Sequence, residues 1–411
     1  MTQAQVVLIV FIITYLFIAL QRIPGLRIDR PSGVTIGSTL LLLSGLLTIR
    51  EAYAFIDWDV ITFLLGMMVM VAYLEFAGFF ERVALWLVRI SRSSARLLQA
   101  TIISAALLSA FFVNDTICLL FTPILLRATR YLNRNPLPYL IAIATASNIG
   151  SALTITGNPQ NMYIGIQSGL PYLKFAAVML LPVSAGLGLN YWMIRRFFPQ
   201  EINHQTLPAL EIKAPPFKRI LTYKTLTALL ITLALFIAGM SYPFAALIGA
   251  SLIFLAGYVP PRLVLKELDW TILLFFAGLF IVMGSFEKAG YMEKLISFAA
   301  GQFSGESLSG FFSLSLLIAL LSNLVSNVPA VILMQPLVEQ FGGGDRLWLL
   351  LALASTFAGN LTLVGSVANL IVAEKAQAKG VRLSFGLYFK IGFPLTLASL
   401  LIGTIWLWWV G

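Results

Sequence analysis

Phe111-Phe112-Val113-Asn114-Asp115-Thr116 is a polar break between two apolar runs, Leu97 to Ala110 and Ile117 to Leu126. An ionised carboxylate beside an amide costs several kcal/mol at membrane depth unless it is paired, hydrated or neutralised, so such a break marks a functional site. The same kind of break recurs 213 residues later, at Ser326-Asn327-Val328-Pro329. Two interruptions in corresponding positions point to the midplane site of a transporter.

Composition sets the class. With 59% hydrophobic and 11% charged residues over 411 positions, the chain lacks the polar surface a soluble protein needs and reads as a polytopic membrane protein. A soluble binding module is excluded. Ala4 to Leu20 is followed by Gln21-Arg22-Ile23-Pro24 rather than a small-residue cleavage site, so it is expected to be a retained helix. Cys118 is the only cysteine, so no intrachain disulfide or cysteine-based zinc cluster can form. His204, the only histidine, falls in a polar stretch and reads as a solvated linker residue.

Candidate spans are Ala4 to Leu20, Gly33 to Ile49, Ile61 to Glu75, a broken Pro138 to Gln167, and Pro171 to Phe198. After a linker at 199–222 come Lys224 to Met240, Pro243 to Val259, Trp270 to Phe286, a broken Arg346 to Ala373, and Ser384 to Val410. Ala95 to Tyr131 does not fit this series. As one helix its 37 residues would run roughly 55 Å against a hydrocarbon core of about 30 Å. A helix that enters, breaks at Asn114-Asp115 and returns accounts for the length and the polar tip. Ser307 to Phe341 is a second such hairpin, around Asn327.

Superposition of the chain on itself exposes a repeat. A shift of 212 puts Pro31 on Pro243, Gly37 on Gly249, Asp57-Trp58 on Asp269-Trp270 and Gly66 on Gly278. A shift of 213 pairs Ser109 with Ser322, Asn114 with Asn327 and Pro123 with Pro336. A shift of 208 pairs Ser147 with Ser355, Thr154 with Thr362, Gly157 with Gly365 and Asn161 with Asn369. So many matches on Pro, Gly, Asn and Trp exceed what hydrophobic bias provides. The halves are 1–198 and 223–411. Each has three scaffold spans (4–75 and 224–286), a hairpin (95–131 and 307–341), a broken helix (138–167 and 346–373) and a final helix (171–198 and 384–410). Five crossings per half is odd, so the two halves must be inverted.

Charge tests the same topology. The net charge of +10 would suggest nucleic acid for a soluble protein, but here the basic residues cluster in alternate loops and no nucleic-acid partner is expected. With both termini outside and the linker cytoplasmic, all but Arg50, Lys174, Lys288, Lys294 and Arg346 of the 27 Lys and Arg residues fall on the inner side of a cytoplasmic membrane. The first hairpin then enters from the cytoplasm and the second from outside. Phe79 to Ile90, with Glu81, Arg82 and Arg89 opposite Phe, Val, Leu and Trp, reads as an interfacial amphipathic helix, with Tyr291 to Phe303 as its counterpart.

The breaks carry the chemistry. Backbone that leaves helical geometry frees N–H and C=O groups where little water is present, and Asn, Ser and Thr satisfy them while offering ligand atoms. Helix N-termini near the midplane attract an anion, whereas freed carbonyls suit a cation. Candidate site residues at the tips are Asn114, Asp115, Thr116, Ser326 and Asn327. Those at the broken helices are Thr154, Gly157, Asn158 and Asn161, matched by Thr362, Gly365, Ser366 and Asn369, with Asn148 and Asn360 nearby. Gly permits positive φ and Pro159 cannot continue a helical bond pattern, so both stretches are expected to be unwound. Bonding between packed helices is the bland reading of the same Ser, Thr and Asn residues. Asp115 stands opposite Val328 in the repeat, so shaping the tip does not require it. It is a proton carrier or a cation ligand.

These motifs resemble the ion transporter superfamily, in the branch of arsenite efflux permeases, sodium/proton antiporters of related fold and the mammalian pink-eyed dilution protein. Asn114-Asp115 with Thr122-Pro123, Gly157-Asn158-Pro159-Gln160-Asn161, Ser326-Asn327-Val328-Pro329 and Gly365-Ser366-Val367-Ala368-Asn369 carry the resemblance over nearly the whole chain. It implies an all-α elevator-type transporter with a mobile transport domain of hairpins and broken spans, and a scaffold that is dimeric in many members. The chain departs from the arsenite permeases at Gly157-Asn158-Pro159 and Ser326-Asn327, and from the sodium-coupled dicarboxylate carriers, which usually show Ser-Asn-Thr at both tips.

The function read from the sequence is secondary active export of arsenite, antimonite or a related small oxyanion, coupled to protons through Asp115. The alternatives are a sodium-coupled anion or sodium/proton carrier of the same fold and, in another class, a passive channel. No His pair, Ser/Lys dyad or metal-ligand cluster supports an enzyme, and no cofactor motif is present.

Overall fold

The computed structural model describes residues 2–20, 29–203, 206–208, 216–257, 259–300 and 307–410. His204, Arg22, Arg27, Lys213 and Phe303, which the sequence reading used, lie outside them. Among the described residues the secondary structure is helical, without a strand. The first half runs α1 (Gln3–Leu20), α2 (Arg30–Leu43), α3 (Ile49–Phe55), α4 (Trp58–Phe76), α5 (Phe79–Ile90), α6 (Ser94–Phe111), α7 (Asn114–Tyr131), α8 (Leu137–Ser151), α9 (Pro159–Ser168) and α10 (Tyr172–Phe197). The second half runs α11 (Arg219–Ile237), α12 (Tyr242–Ala256), α13 (Pro261–Val264), α14 (Trp270–Lys288), α15 (Tyr291–Ala300), α16 (Leu308–Val325), α17 (Asn327–Gln340), α18 (Asp345–Ala358), α19 (Val367–Gln377) and α20 (Phe385–Val410). Each element of the first half thus has a counterpart ten helices later.

Local chemistry sets the boundaries. Asp57 caps α4 by accepting from the Val60 N–H at 3.0 Å, and Ser93 caps α6 through the Arg96 N–H at 3.3 Å. Asn158 caps α9, whose first residue is Pro159, through the Asn161 N–H at 2.9 Å. The short α3 adds to the spans read from the sequence; Thr48 and Glu51 form its capping box, legible as Thr-x-x-Glu. The helix after the linker starts at Arg219, five residues before the apolar run predicted. Leu221 and Thr222 are already buried, and the Arg219 guanidinium lies over the Tyr223 ring.

Among the described residues seven helices, α4, α6, α10, α11, α14, α16 and α20, are long and apolar enough to cross a membrane. Of the other expected spans, α8 with α9 and α18 with α19 are pairs of shorter helices in series, each interrupted where the Thr, Gly and Asn motifs fall. α6 and α7 fold back against each other, as do α16 and α17.

Packing divides the helices into two groups. α4 lies on α12 and α14 on α2, with α1 and α11 alongside. The second group contains α6 on α8, α16 on α18, α10 on α20 and α7 on α19. α6 and α8 approach closely because Gly150 has no side chain: a Cβ there would stand 2.2 Å from the Cα of Ala106. α5 buries Phe80, Ala84, Leu85 and Val88 on one face and packs on α6 and α7.

Candidate substrate site

Two hairpin tips and two helix breaks meet inside the second group. At the first tip, Phe112 and Val113 are extended and α7 restarts at Asn114. At the second, Ser326 alone turns the chain with φ 78 and ψ 157, a conformation nearly reserved for glycine. α9 and α19 restart after the two breaks. Four helices therefore begin near one another, and their first turns carry N–H groups without intrahelical partners.

Asn148, on α8, is the hub that joins them. Its Oδ1 accepts from Asn114 Nδ2 at 2.9 Å and from Ser366 Oγ at 3.0 Å. Its Nδ2 donates to Asn360 Oδ1 at 2.9 Å and to Asn369 Oδ1 at 3.1 Å. The two halves then clamp their breaks in the same way. Asn161 Nδ2 donates to the carbonyls of Ser151 at 3.2 Å and Thr154 at 3.1 Å. Asn369 Nδ2 does so to those of Gly359 at 2.7 Å and Thr362 at 3.1 Å. These bonds satisfy the carbonyls that each break strands in an apolar interior.

Both stretches interrupt their helices, and they do so without positive φ at Gly157 or Gly365. Their small size matters instead. A Cβ on Gly157 would stand 2.1 Å from the Ser151 carbonyl oxygen, and one on Gly365 would stand 2.6 Å from Asn323 Oδ1. Asn323 was missed because its counterpart is Ala110. It donates to the Ala358 carbonyl at 2.8 Å and accepts from Thr362 Oγ1 at 3.0 Å, whereas Thr154 Oγ1 donates directly to the Ala110 carbonyl.

A cavity of about 880 Å³ reaches these groups from one end of the bundle. Asn114, Asp115, Ser326, Asn327 and Ser366 line its floor with Gln160, while Arg30, Asp269, Glu374 and Arg382 line its mouth. Asn148, Asn158, Asn161, Asn369 and Asn360 are buried behind this lining, as are Thr154 and Gly157. Thr116, Thr362 and Gly365 also stand outside it. Cys118 is buried, its Sγ 3.1 Å from Ser147 Oγ. Asn327 Oδ1 has no hydrogen-bond partner among the described residues.

Asp115 is the one acid on the floor. α7 packs on α19, which brings the Asp115 carboxylate toward the Ala368 N–H in the first turn of α19, and the charges of Arg30 and Asp269 act on it with opposite signs. The charge pattern alone assigns Arg30 to the inner side, and nothing local to Asp29-Arg30-Pro31 shows that the fold brings it to the cavity that Asp115 lines. Bonds from Ser32 hold the Asp29 carboxyl below the usual carboxylate range, so it stays ionised at the mouth. Among the described residues, Arg30 and Arg382 thus share the lining with Asp29, Asp115, Asp269 and Glu374, an excess of negative charge within that set when all are ionised.

Comparison with known proteins fits this architecture. The model of the CitMHS family, described as citrate transporter, matches residues 8–354. The chain belongs to the CitMHS citrate transporter family. An uncharacterized transporter of Mycobacterium tuberculosis strain H37Rv is 31% identical to this family member over 97% of both chains. A Dictyostelium discoideum transporter named arsB is 28% identical over 96% of this chain and 90% of its own. The silicon efflux transporter LSI3 of Oryza sativa subsp. japonica is 28% identical over 93% of each. In fold, the chain is similar to the crystal structure of the Alcanivorax borkumensis YdaH transporter, with a TM-score of 0.57 at 14% identity over 99% of this chain and 96% of that one. The protein is a membrane transporter of the ion transporter superfamily.

Proposed function

We propose that this transporter exports arsenite, antimonite or a related small oxyanion in exchange for protons, by an elevator movement. The observation that carries the reading is the floor of the cavity. A single carboxylate, Asp115, meets the N-terminus of α19 beside the amides of Asn114 and Asn327. Near neutral pH arsenite and antimonite are mostly neutral hydroxylated acids. Their hydroxyls can donate to the ionised Asp115, and their oxygens can accept from the amides and free N–H groups. A proton on Asp115 turns one of its two acceptor oxygens into a donor and removes its charge, which weakens that binding, so proton and substrate compete, as exchange requires.

The charge inventory favours this class over a polycarboxylate. A multivalent anion would meet the negative excess at the mouth, whereas a neutral oxyacid is not repelled. The homologues named arsB and silicon efflux transporter point the same way, and the family name makes citrate the comparison to run.

We place the termini outside and the linker in the cytoplasm, because that orientation leaves only five basic residues external. The cavity then opens to the cytoplasm. α1–α4 and α11–α14 form the scaffold and, in this reading, the dimer interface, while the hairpins and broken helices move. Flux in proteoliposomes under an imposed proton gradient tests the proposal. Arsenite exchange driven by the gradient and lost in Asp115→Asn is expected. Unchanged flux in that variant, sodium dependence, or citrate flux alone would replace it with a different carrier.

A further inference from the structure

Of the paired motifs Asp57-Trp58 and Asp269-Trp270, only Asp269 reaches the cavity, at its mouth, and the structure treats the two unequally. At the closed end, Asp57 on α4 accepts from Gln167 Nε2 of α9 at 2.6 Å. Gln335 of α17 joins the cluster, its Nε2 3.4 Å from Gln167 Oε1 and 2.9 Å from Glu339 Oε1. Tyr163 of α9 donates to Gln335 Oε1. A second tie at this end runs from Tyr15 on α1 to the Pro329 carbonyl of the second hairpin, at 3.4 Å. α9 accordingly packs on α4, and α17 touches α14.

At the open end the equivalent pairs are apart: α19 makes no comparable contact with α14, nor α7 with α4. The repeat shifts name what should meet there. Asp57 corresponds to Asp269, and Gln167 to Lys375. Asp269 lines the mouth of the cavity, as does Ile371, the counterpart of Tyr163. Lys375 stands one turn beyond Ile371 in the last turn of α19 and is exposed. The two latches differ in charge for a physical reason: basic residues are favoured at the inner side of the membrane, so the inner latch can use Lys where the outer one uses Gln.

We infer that Asp269 and Lys375 form the inner gate, an ion pair that closes the cavity as the Asp57–Gln167 bond opens. The inference rests on the elevator reading above but not on the identity of the substrate. Inverted repeats can exchange conformations, and each gate joins a scaffold acid to a broken helix of the mobile domain, so only one gate can be closed at a time.

Cysteine pairs test this in native membranes, oxidised with copper phenanthroline and read by the mass shift of a maleimide polymer on the remaining thiols. Asp57→Cys with Gln167→Cys and Asp269→Cys with Lys375→Cys are both expected to form disulfides. A chain carrying all four is expected to form at most one. Gln167→Lys, which keeps the fold's own residues elsewhere, should strengthen the outer latch and slow oxidation of the inner pair several-fold. The inference is overturned if the inner pair stays reduced while the outer pair oxidises, if Asp269→Cys pairs with Arg382→Cys instead, or if the four-cysteine chain forms both bonds. Because oxidation reads geometry, this result is separable from failure of the arsenite reading.

Discussion

Asn148 donates to Asn369 Oδ1 at 3.1 Å, so a residue of the first broken span holds the asparagine that clamps the second. The reciprocal bond exists across the repeat. Thr356, the counterpart of Asn148 at a shift of 208, donates to Asn161 Oδ1 at 3.5 Å. Each half therefore steadies the break of the other, with the first half supplying the stronger partner.

Asn148→Ala removes a hub of four bonds, to Asn114, Ser366, Asn360 and Asn369, and leaves those buried groups short of a partner. A loss of about 3 kcal/mol is expected, read as a lower thermal unfolding midpoint in detergent. Thr356→Ala removes only long bonds and should cost clearly less.

Gly157→Ala places a Cβ 2.1 Å from a backbone oxygen, which cannot move without opening the break. Gly365→Ala meets the end of the Asn323 side chain at 2.6 Å, which can move. The first is expected to cost about 3 kcal/mol and the second less, with Gly188→Ala, which has open space, as the neutral control. The yield of monodisperse protein and its unfolding midpoint rank the three.

Ser326→Gly relieves a backbone held at φ 78. The Ser326 side chain makes no capping bond, so the variant should gain about 1 kcal/mol, whereas Ser326→Ala should gain nothing. Equal stability for the two would show that this turn stores no strain.

Lys288 donates to the Glu51 carboxylate and ties α3 to α14. With the Thr48 bonds it holds the Glu51 carboxyl down at about 2. A carboxyl depressed below its unfolded value of about 4.5 contributes stability fully above that pH and loses it as the pH falls toward 2. The pair is exposed, so screening keeps its contribution small. Lys288→Gln should lower the unfolding midpoint slightly near pH 7, and the difference should shrink near pH 3 and in high salt.

The sequence by itself determined where the chain breaks and how often. Asn114, Asn327, Pro159 and Gly365 interrupt apolar runs, and helix periodicity with membrane thickness turned those interruptions into hairpins and broken spans. Phe79 to Ile90 was legible to the residue, because amphipathic period and charge are local properties. The register shifts also survived folding, since Asn161 and Asn369 clamp matching carbonyls. Tertiary structure alone decided which polar groups face the cavity and which face one another. Asn148 and Asn369 carry the same chemical signal as Asn114, yet packing of α8 against α7 and α19 turns them inward, where their bonds are satisfied. It also decided that Arg30, distant in sequence, lines the same cavity as Asp115. The matched motifs of the two halves do not distinguish one end from the other; contacts between the helix groups, which no local pattern contains, do so.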